Sequence, residues 1–385
     1  MTTRRKFLST AASGIAMSVG ATGCAAELGL GPQSYPFLAA PALGTDLSKL
    51  IQLSGQCLMV GFVGSHSGDA GTTALLDQLA MGQVGNVLLL GRNVETRAQT
   101  AELAGLLQAV AGRPILIGID NEGGAVTRTT GKAGFSEWMT AAAVPEQLGT
   151  AETAREYYRI RAGELRQAGV NLNFAPVVDV NVNPASPAIG ALGRSFSSDP
   201  AVVTTFARAC IAGHHDAGLL TCIKHFPGHG SARGDTHEGF VDVTHTWTEA
   251  ELLPYFELAS TDKIDALMLS HVIHAAFTGS GQMPVSLSAR AIEFVRSTLR
   301  YSGPIVSDDL QMGAIAREMS DDDAAVAALE AGSDLLILAN YESPDQDLGL
   351  RVNAALVRSV VDGRLRVERL ADAARRVASL KLRVE

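Results

Sequence analysis

The sequence predicts an α/β protein built as one (β/α)8 barrel of the TIM type. Three observations carry that expectation. Eight short apolar runs alternate with longer amphipathic segments, the runs are continuous in their hydrophobicity, and the polar residues that interrupt them fall at their C-terminal ends. Continuous apolar runs are expected of parallel strands buried on both faces. In chain order the runs are Cys57 to Phe62, Asn86 to Leu90, Ile115 to Ile119, Asn171 to Phe174, Leu219 to Ile223, Ala266 to Leu269, Ile305 to Ser307 and Leu335 to Leu338. Helical patterns lie between them, among them Ala98 to Val110, Ala151 to Gln167 and Val202 to His215. A barrel commonly takes about 250 residues or more as a single unit, and an open doubly wound sheet would usually show a nucleotide loop after its first strand. None fits: Gly228-His229-Gly230 followed by Gly234 misses the G-x-G-x-x-G spacing, and Gly131-Lys132 is followed by Ala133, where a phosphate loop has Ser or Thr.

The barrel domain is expected over residues 46–385. Before it, Arg4-Arg5-Lys6-Phe7-Leu8 opens an apolar, small-residue stretch to Val19, too short for a mature bilayer span. Residues 1–24 therefore read as an export signal with a twin-arginine start, closed by the lipoprotein-like box Ala21-Thr22-Gly23-Cys24. Ala21 stands where a larger aliphatic is usual, and the competing reading is a cytoplasmic tail with two chance arginines. Residues 25–45, rich in Pro, Gly and Ala without periodicity, read as a linker. The expected location is periplasmic or membrane-anchored through Cys24.

Lys and Arg number 31 against 40 Asp and Glu. Losing Arg4, Arg5 and Lys6 with the signal makes the mature chain more acidic still, which argues against a nucleic-acid or anionic-lipid surface. Cys57, Cys210 and Cys222 each sit in an apolar run and read as buried small hydrophobes.

The polar strand ends are Asp120, Lys224-His225, Ser270-His271, Asp308-Asp309 and Asn340. In a barrel such ends converge on one mouth, where active sites are built. Lys224-His225-Phe226-Pro227-Gly228-His229-Gly230 enters a Pro- and Gly-rich loop, so its histidines cannot form the helical pair of a zinc protease. It reads as a rigid turn presenting Lys224 and His225 to a polyhydroxylated ligand, with Ser231 to Gly234 free to move; the bland alternative is a basic strand end satisfied by carboxylates. Asp235-Thr236-His237 places a carboxylate and an imidazole on one side of an extended chain, a plausible acid/base pair. Neighbours on a strand point to opposite sides. Only one of Asp308 and Asp309 is therefore expected to aim into the mouth, the other serving as a hydrogen-bond anchor, unless both are helix N-caps. A carboxylate nucleophile with a separate proton donor is the arrangement of a retaining glycosidase.

These segments resemble glycoside hydrolase family 3, specifically its single-barrel β-N-acetylglucosaminidases (β-hexosaminidases). The resemblance runs from about Ser48 to Val377 through Ile119-Asp120-Asn121-Glu122-Gly123-Gly124, Asn173 to Val180, Arg194-Ser195-Phe196-Ser197, Lys224 to Gly230, Asp235-Thr236-His237, Ser307-Asp308-Asp309-Leu310 and Ala331-Gly332-Ser333-Asp334. It implies Asp308 as the nucleophile and His237 with Asp235 as an acid/base dyad on a mobile loop. It further implies that Asp120 and Arg128 hold sugar hydroxyls, while Arg194, Lys224 and His225 grip the sugar and its N-acetyl group. Ala125 departs from the pattern where a basic residue is common, as does Glu238-Gly239-Phe240-Val241 where members often have Pro.

The expected activity is that of an exo-acting retaining β-N-acetylglucosaminidase working as a monomer on peptidoglycan fragments or chitooligosaccharides, without metal or organic cofactor. A phosphorylase is one alternative, because a histidine donor does not repel phosphate as a carboxylate would. A non-catalytic exported sugar-binding lipoprotein is another.

Overall fold

A computed structural model describes residues 46–260, 264–279 and 282–384. The expected signal, residues 1–24, and the expected linker, residues 25–45, lie outside the described residues. Eight strands close into a parallel barrel in sequence order: β1 (Leu58–Gly61), β2 (Asn86–Leu89), β3 (Leu116–Ile119), β4 (Leu172–Asn173), β5 (Leu220–Phe226), β6 (Ala266–Leu269), β7 (Ile305–Asp309) and β8 (Leu335–Leu338). Each apolar run of the sequence contains or begins one of them.

Two strands outrun their apolar stretch. β5 continues through Lys224 and His225, because the Lys224 carbonyl still accepts from the Val178 N–H at 2.8 Å. β7 continues through Asp308 and Asp309. Hydrophobicity stops where the strand reaches the mouth, whereas backbone pairing goes on. β4 is shorter than its run. Pro176, just beyond it, has no N–H to offer a ladder, and the Ala175–Pro176, Lys224–His225 and Phe226–Pro227 peptides are cis.

Side chains fill the barrel interior. Met59, Leu88, Leu116, Leu172, Phe174, Cys222, Met268, Val306 and Ile337 belong to one buried cluster, joined by Val377 and Leu380 of the last helix, Val367–Lys381. Gly118 on β3 makes room for it: a Cβ there would lie 2.8 Å from the Phe174 ring. Cys57, Cys210 and Cys222 are buried free thiols, as expected.

The helices start where the sequence offers caps. Thr96, Thr150 and Asp199 accept from backbone N–H groups at the heads of Arg97–Ala111, Ala151–Gln167 and Pro200–Asp216, the last also carrying Pro at its first position. Among the described residues no helix is long and apolar enough to cross a membrane.

Candidate active site

A cavity of about 570 Å³ opens at the C-terminal ends of the strands, within the range of about 300–1,000 Å³ usual for small-ligand sites. All eight residues to which the resemblance assigns a role line it: Asp120, Arg128, Arg194, Lys224, His225, Asp235, His237 and Asp308.

Its floor is a buried charge network. Lys224 Nζ lies 2.7 Å from Asp120 Oδ1 and 2.7 Å from Glu122 Oε1. Arg194 forks onto the same Glu122 carboxylate, Nε to Oε2 at 2.7 Å and the second nitrogen to Oε1 at 2.8 Å, and also reaches His225 Nε2 at 3.3 Å. His225 in turn donates from Nδ1 to Asp179 Oδ2 at 2.7 Å, while the other Asp179 oxygen accepts the His229 N–H at 2.8 Å. Burial alone would raise Glu122, but Arg194 and Lys224 outweigh it and hold the carboxyl well below its ordinary range. Lys224, which burial would lower, is raised instead by Asp120 and Glu122. The basic strand end is therefore both carboxylate-satisfied and exposed to the cavity: the functional and the bland readings describe one arrangement. Glu122 and Asp179 appeared in the sequence only as motif letters. The signal that could have promoted them is that a buried Lys or Arg needs a carboxylate.

Arg128 differs from its neighbours. Its Nε is buried without a hydrogen-bond partner, although its backbone N–H is held by Asn121 Oδ1 at 2.9 Å. Arg128 lines the cavity all the same, a cation standing where an incoming hydroxyl or carbonyl would need a donor.

At the end of β7 the two aspartates separate in role. Asp309 Oδ1 accepts from the Gln311 N–H at 3.1 Å and the Ala339 N–H at 3.0 Å, tying the β7 turn to the end of β8. This is the expected anchor. The N-cap alternative does not hold, since the next helix, Gly313–Ala316, starts after Met312. Burial pushes the Asp309 carboxyl up to about 7. Burial also raises Asp308, but His271, His225 and His237 and the Asp309 N–H pull it further the other way, so it is lowered. The carboxylate that stays ionised is the one needed as a nucleophile. His271, which went without a role in the sequence, donates from Nε2 to the Asp309 carbonyl at 2.8 Å and meets Ser286 Oγ through Nδ1 at 2.6 Å, bracing the β7 end.

Asp235 and His237 meet, but not along an extended chain. A turn closed by the Glu238 N–H on the Asp235 carbonyl at 3.0 Å brings His237 Nδ1 to 2.6 Å from Asp235 Oδ1. The His237 side chain is 67% exposed, leaving Nε2 as the free nitrogen. Burial would raise Asp235, yet the His237 N–H and ring lower it, so the dyad carboxylate is charged.

The expectation that Ser231 to Gly234 are free fails for the first half. Ser231 and Ala232 are buried, the Ala232 carbonyl takes Asn183 Nδ2 at 2.9 Å, and Glu251 Oε2 accepts the Gly230 N–H at 2.9 Å. Gly230 is obligatory here, because a Cβ would fall 1.7 Å from the Val180 carbonyl oxygen. Only from Arg233 onward does the loop meet solvent, and it docks again where the Ala314 N–H reaches the Thr236 carbonyl at 3.0 Å. Ala125 is exposed and does not line the cavity. Among the described residues no group of three or more His, Cys, Asp or Glu converges as metal ligands would.

An ionised carboxylate and a carboxylate-oriented imidazole over one sugar-sized cavity, at the mouth of a (β/α)8 barrel, define a glycoside-cleaving enzyme. The chain belongs to glycoside hydrolase family 3: the glycosyl hydrolase family 3 N-terminal domain matches residues 50–380. It is 36% identical over 309 residues to a β-hexosaminidase of Xylella fastidiosa (strain M23), covering 76% of this chain and 90% of that protein. Among solved structures it is similar to a family 3 β-N-acetylglucosaminidase from Paenibacillus sp. str. FPU-7, with TM-score 0.80 and 34% identity over 87% of this chain, although it spans only 62% of that protein. A β-N-acetylhexosaminidase from Beutenbergia cavernae matches over 86% of this chain and 98% of its own length, with TM-score 0.78 and 30% identity.

Proposed function

We propose that the chain is an exo-acting, retaining β-N-acetylglucosaminidase that hydrolyses terminal N-acetylglucosamine from peptidoglycan fragments or chitooligosaccharides. The observation that carries this reading is the pairing of a lowered Asp308 carboxyl with the His237–Asp235 dyad on one cavity wall. In the first step an Asp308 oxygen attacks the anomeric carbon, and the bond to the leaving oxygen breaks as His237 Nε2 gives it a proton. The imidazole that remains keeps its Nδ1 proton on Asp235. In the second step His237 Nε2 takes a proton from water, whose oxygen displaces Asp308 and releases the sugar with its configuration retained. In this reading Asp120 and Arg128 hold sugar hydroxyls, while Arg194, Lys224 and His225 grip the sugar and its N-acetyl group. The β-hexosaminidase and β-N-acetylglucosaminidase activities of its relatives support the sugar.

The test is turnover of aryl β-glycosides of N-acetylglucosamine, N-acetylgalactosamine and glucose by the wild-type chain and Asp308→Ala. N-acetylglucosamine is released fastest, as free sugar and not as the 1-phosphate even in phosphate buffer. The Asp308→Ala rate falls by at least about 10⁴-fold. A variant close to wild-type rate would refute the assignment. Export with lipidation at Cys24 belongs to the same proposal, and Cys24→Ala then moves the protein out of the membrane fraction.

A further inference from the structure

Asp235 and His237 form a unit held by its own short-range bonds. Asp235 Oδ1 accepts the His237 N–H at 2.9 Å and meets the ring Nδ1 at 2.6 Å, and the Glu238 N–H closes on the Asp235 carbonyl. These contacts fix the shape of the dyad and leave its place over Asp308 open. The chain is pinned on either side of it, by Glu251 and Asn183 at Gly230 and Ala232, and by the Ile273 N–H on the Val241 carbonyl at 2.8 Å. In the stretch between, from Arg233 to Phe240, Thr236 is the one buried residue, and it stands between the two members of the dyad.

Thr236 is held from two sides. Its carbonyl accepts the Ala314 N–H at 3.0 Å, and its hydroxyl meets His229 Nε2 at 3.4 Å, His229 itself being tied to Asp179 through its N–H. Ala314 belongs to the turn that follows Asp308 and Asp309, so the proton donor is docked on the element that carries the nucleophile. Gly313 lets the two surfaces meet. A Cβ on it would stand 2.4 Å from the His237 carbonyl oxygen and 3.2 Å from the His237 and Glu238 carbonyl carbons, whereas ordinary contact begins near 3.4 Å. Its backbone does not ask for glycine: Gly313 opens the short helix Gly313–Ala316 and has no positive φ. Alanine is the better residue in a helix, so what the glycine provides here is close approach and not conformation.

We propose that Gly313 and the Ala314 N–H on one side of Thr236, with His229 on the other, are the seat of the acid/base loop: positioning residues that set how far His237 stands from the leaving oxygen. This rests on the glycosidase reading above, in which His237 protonates that oxygen. Gly313 acts only through the loop backbone it supports. A Cβ there moves the His237 backbone off by about 1 Å, the difference between 2.4 and 3.4 Å, and a misplacement of that size costs a catalytic group about 10²-fold.

The experiment measures kcat/KM of wild type, Gly313→Ala, His237→Ala and the double variant on two β-N-acetylglucosaminides. One is the 2,4-dinitrophenyl glycoside, whose leaving group departs without a proton; the other is the phenyl glycoside, whose leaving group needs one. In Gly313→Ala the phenyl value falls about 10²-fold and the dinitrophenyl value by less than about threefold, and in the His237→Ala background the same change has no further effect on the phenyl value. Equal losses on both substrates, no loss on the phenyl glycoside, or a loss that persists in full without His237 overturns the seat. If His237→Ala itself loses equally on both substrates, the donor role fails, and with it the reading on which the seat rests. Should Gly313→Ala not fold, Thr236→Val, which keeps the side-chain volume and removes the hydroxyl from His229, goes through the same comparison. Its phenyl value falls about tenfold, the scale of one hydrogen bond, and equal losses on both substrates or none overturn the proposal.

Discussion

Glu122→Gln should destabilise the protein strongly, because it removes the carboxylate that pairs two buried cations. The carboxylate is 8% exposed and neutralises two cations buried beside it, Arg194 at 9% and Lys224 at 2%. Three contacts of 2.7–2.8 Å are made through its two oxygens. The amide keeps the shape but leaves one acceptor, and it turns an N–H₂ group toward a guanidinium or ammonium. Asp120 still faces Lys224, while Asp179, which also favours the charged Arg194, is already bonded to His225. One buried positive charge is then uncompensated, a situation that costs about 3–5 kcal/mol. At roughly 2 °C for each kcal/mol in a chain of this length, the melting temperature falls by roughly 6–10 °C at pH 7. Because the folded carboxyl is held below its unfolded value, its contribution is complete above the unfolded pKa of about 4.3 and is lost as pH falls below it. The gap between wild type and variant therefore closes on acidification. Urea unfolding of wild type, Glu122→Gln, Lys224→Met and the double variant checks the cause. The double variant recovers at least about 1 kcal/mol relative to the sum of the singles, since removing Lys224 along with Glu122 removes one cation with one anion and restores the balance of buried charge. A Glu122→Gln variant within about 1 kcal/mol of wild type, or strict additivity in the cycle, would refute the reasoning.

Three other outcomes follow from the same geometry. His237→Ala slows turnover of glycosides with poor leaving groups by about 10²–10⁴-fold and of those with good ones much less, as a series of substituted aryl glycosides would show; equal losses across the series would remove His237 from proton donation. Asp235→Asn, which substitutes a neutral partner for the anion on His237 Nδ1, moves the alkaline arm of the kcat/KM pH profile to lower pH, because the anion favours the charged form of the proton donor. Glu251→Gln flattens the pH dependence of the melting temperature between pH 5 and 9. Burial raises the Glu251 carboxyl to about 8, so the stability it contributes is complete below about 4.3 and is lost as pH rises through 8, and a melting curve series with the same slope for variant and wild type would contradict this.

The barrel was legible because a strand buried on both faces writes itself as an unbroken apolar run, and the mouth was legible because those runs end in polar residues on one side only. What stayed hidden depended on contacts between strands. Glu122 and Arg194 are 72 residues apart, Asp120 and Lys224 104, and Asp309 and the Ala339 N–H 30. No periodicity of 2 or 3.6 can relate such positions. The D-x-H pair was found for the wrong geometric reason. Spacing two apart is compatible with an extended chain and with a turn, and only the Glu238 N–H, closing on Asp235, decides between them. The loop's buried first half was missed because Ser231 and Ala232 look like solvent residues by type, while their burial comes from Asn183 and Glu251, brought in from other loops. One physical rule would have reached further. A lysine at the end of an apolar strand, as at Lys224, cannot be buried without a counter-charge. The acids at the mouth-facing ends of other strands were the available partners, and Asp120 and Glu122 occupy the end of β3 two strands away. Applied to each strand-end cation in turn, the same requirement leads from Lys224 to Glu122 and from Glu122 to Arg194.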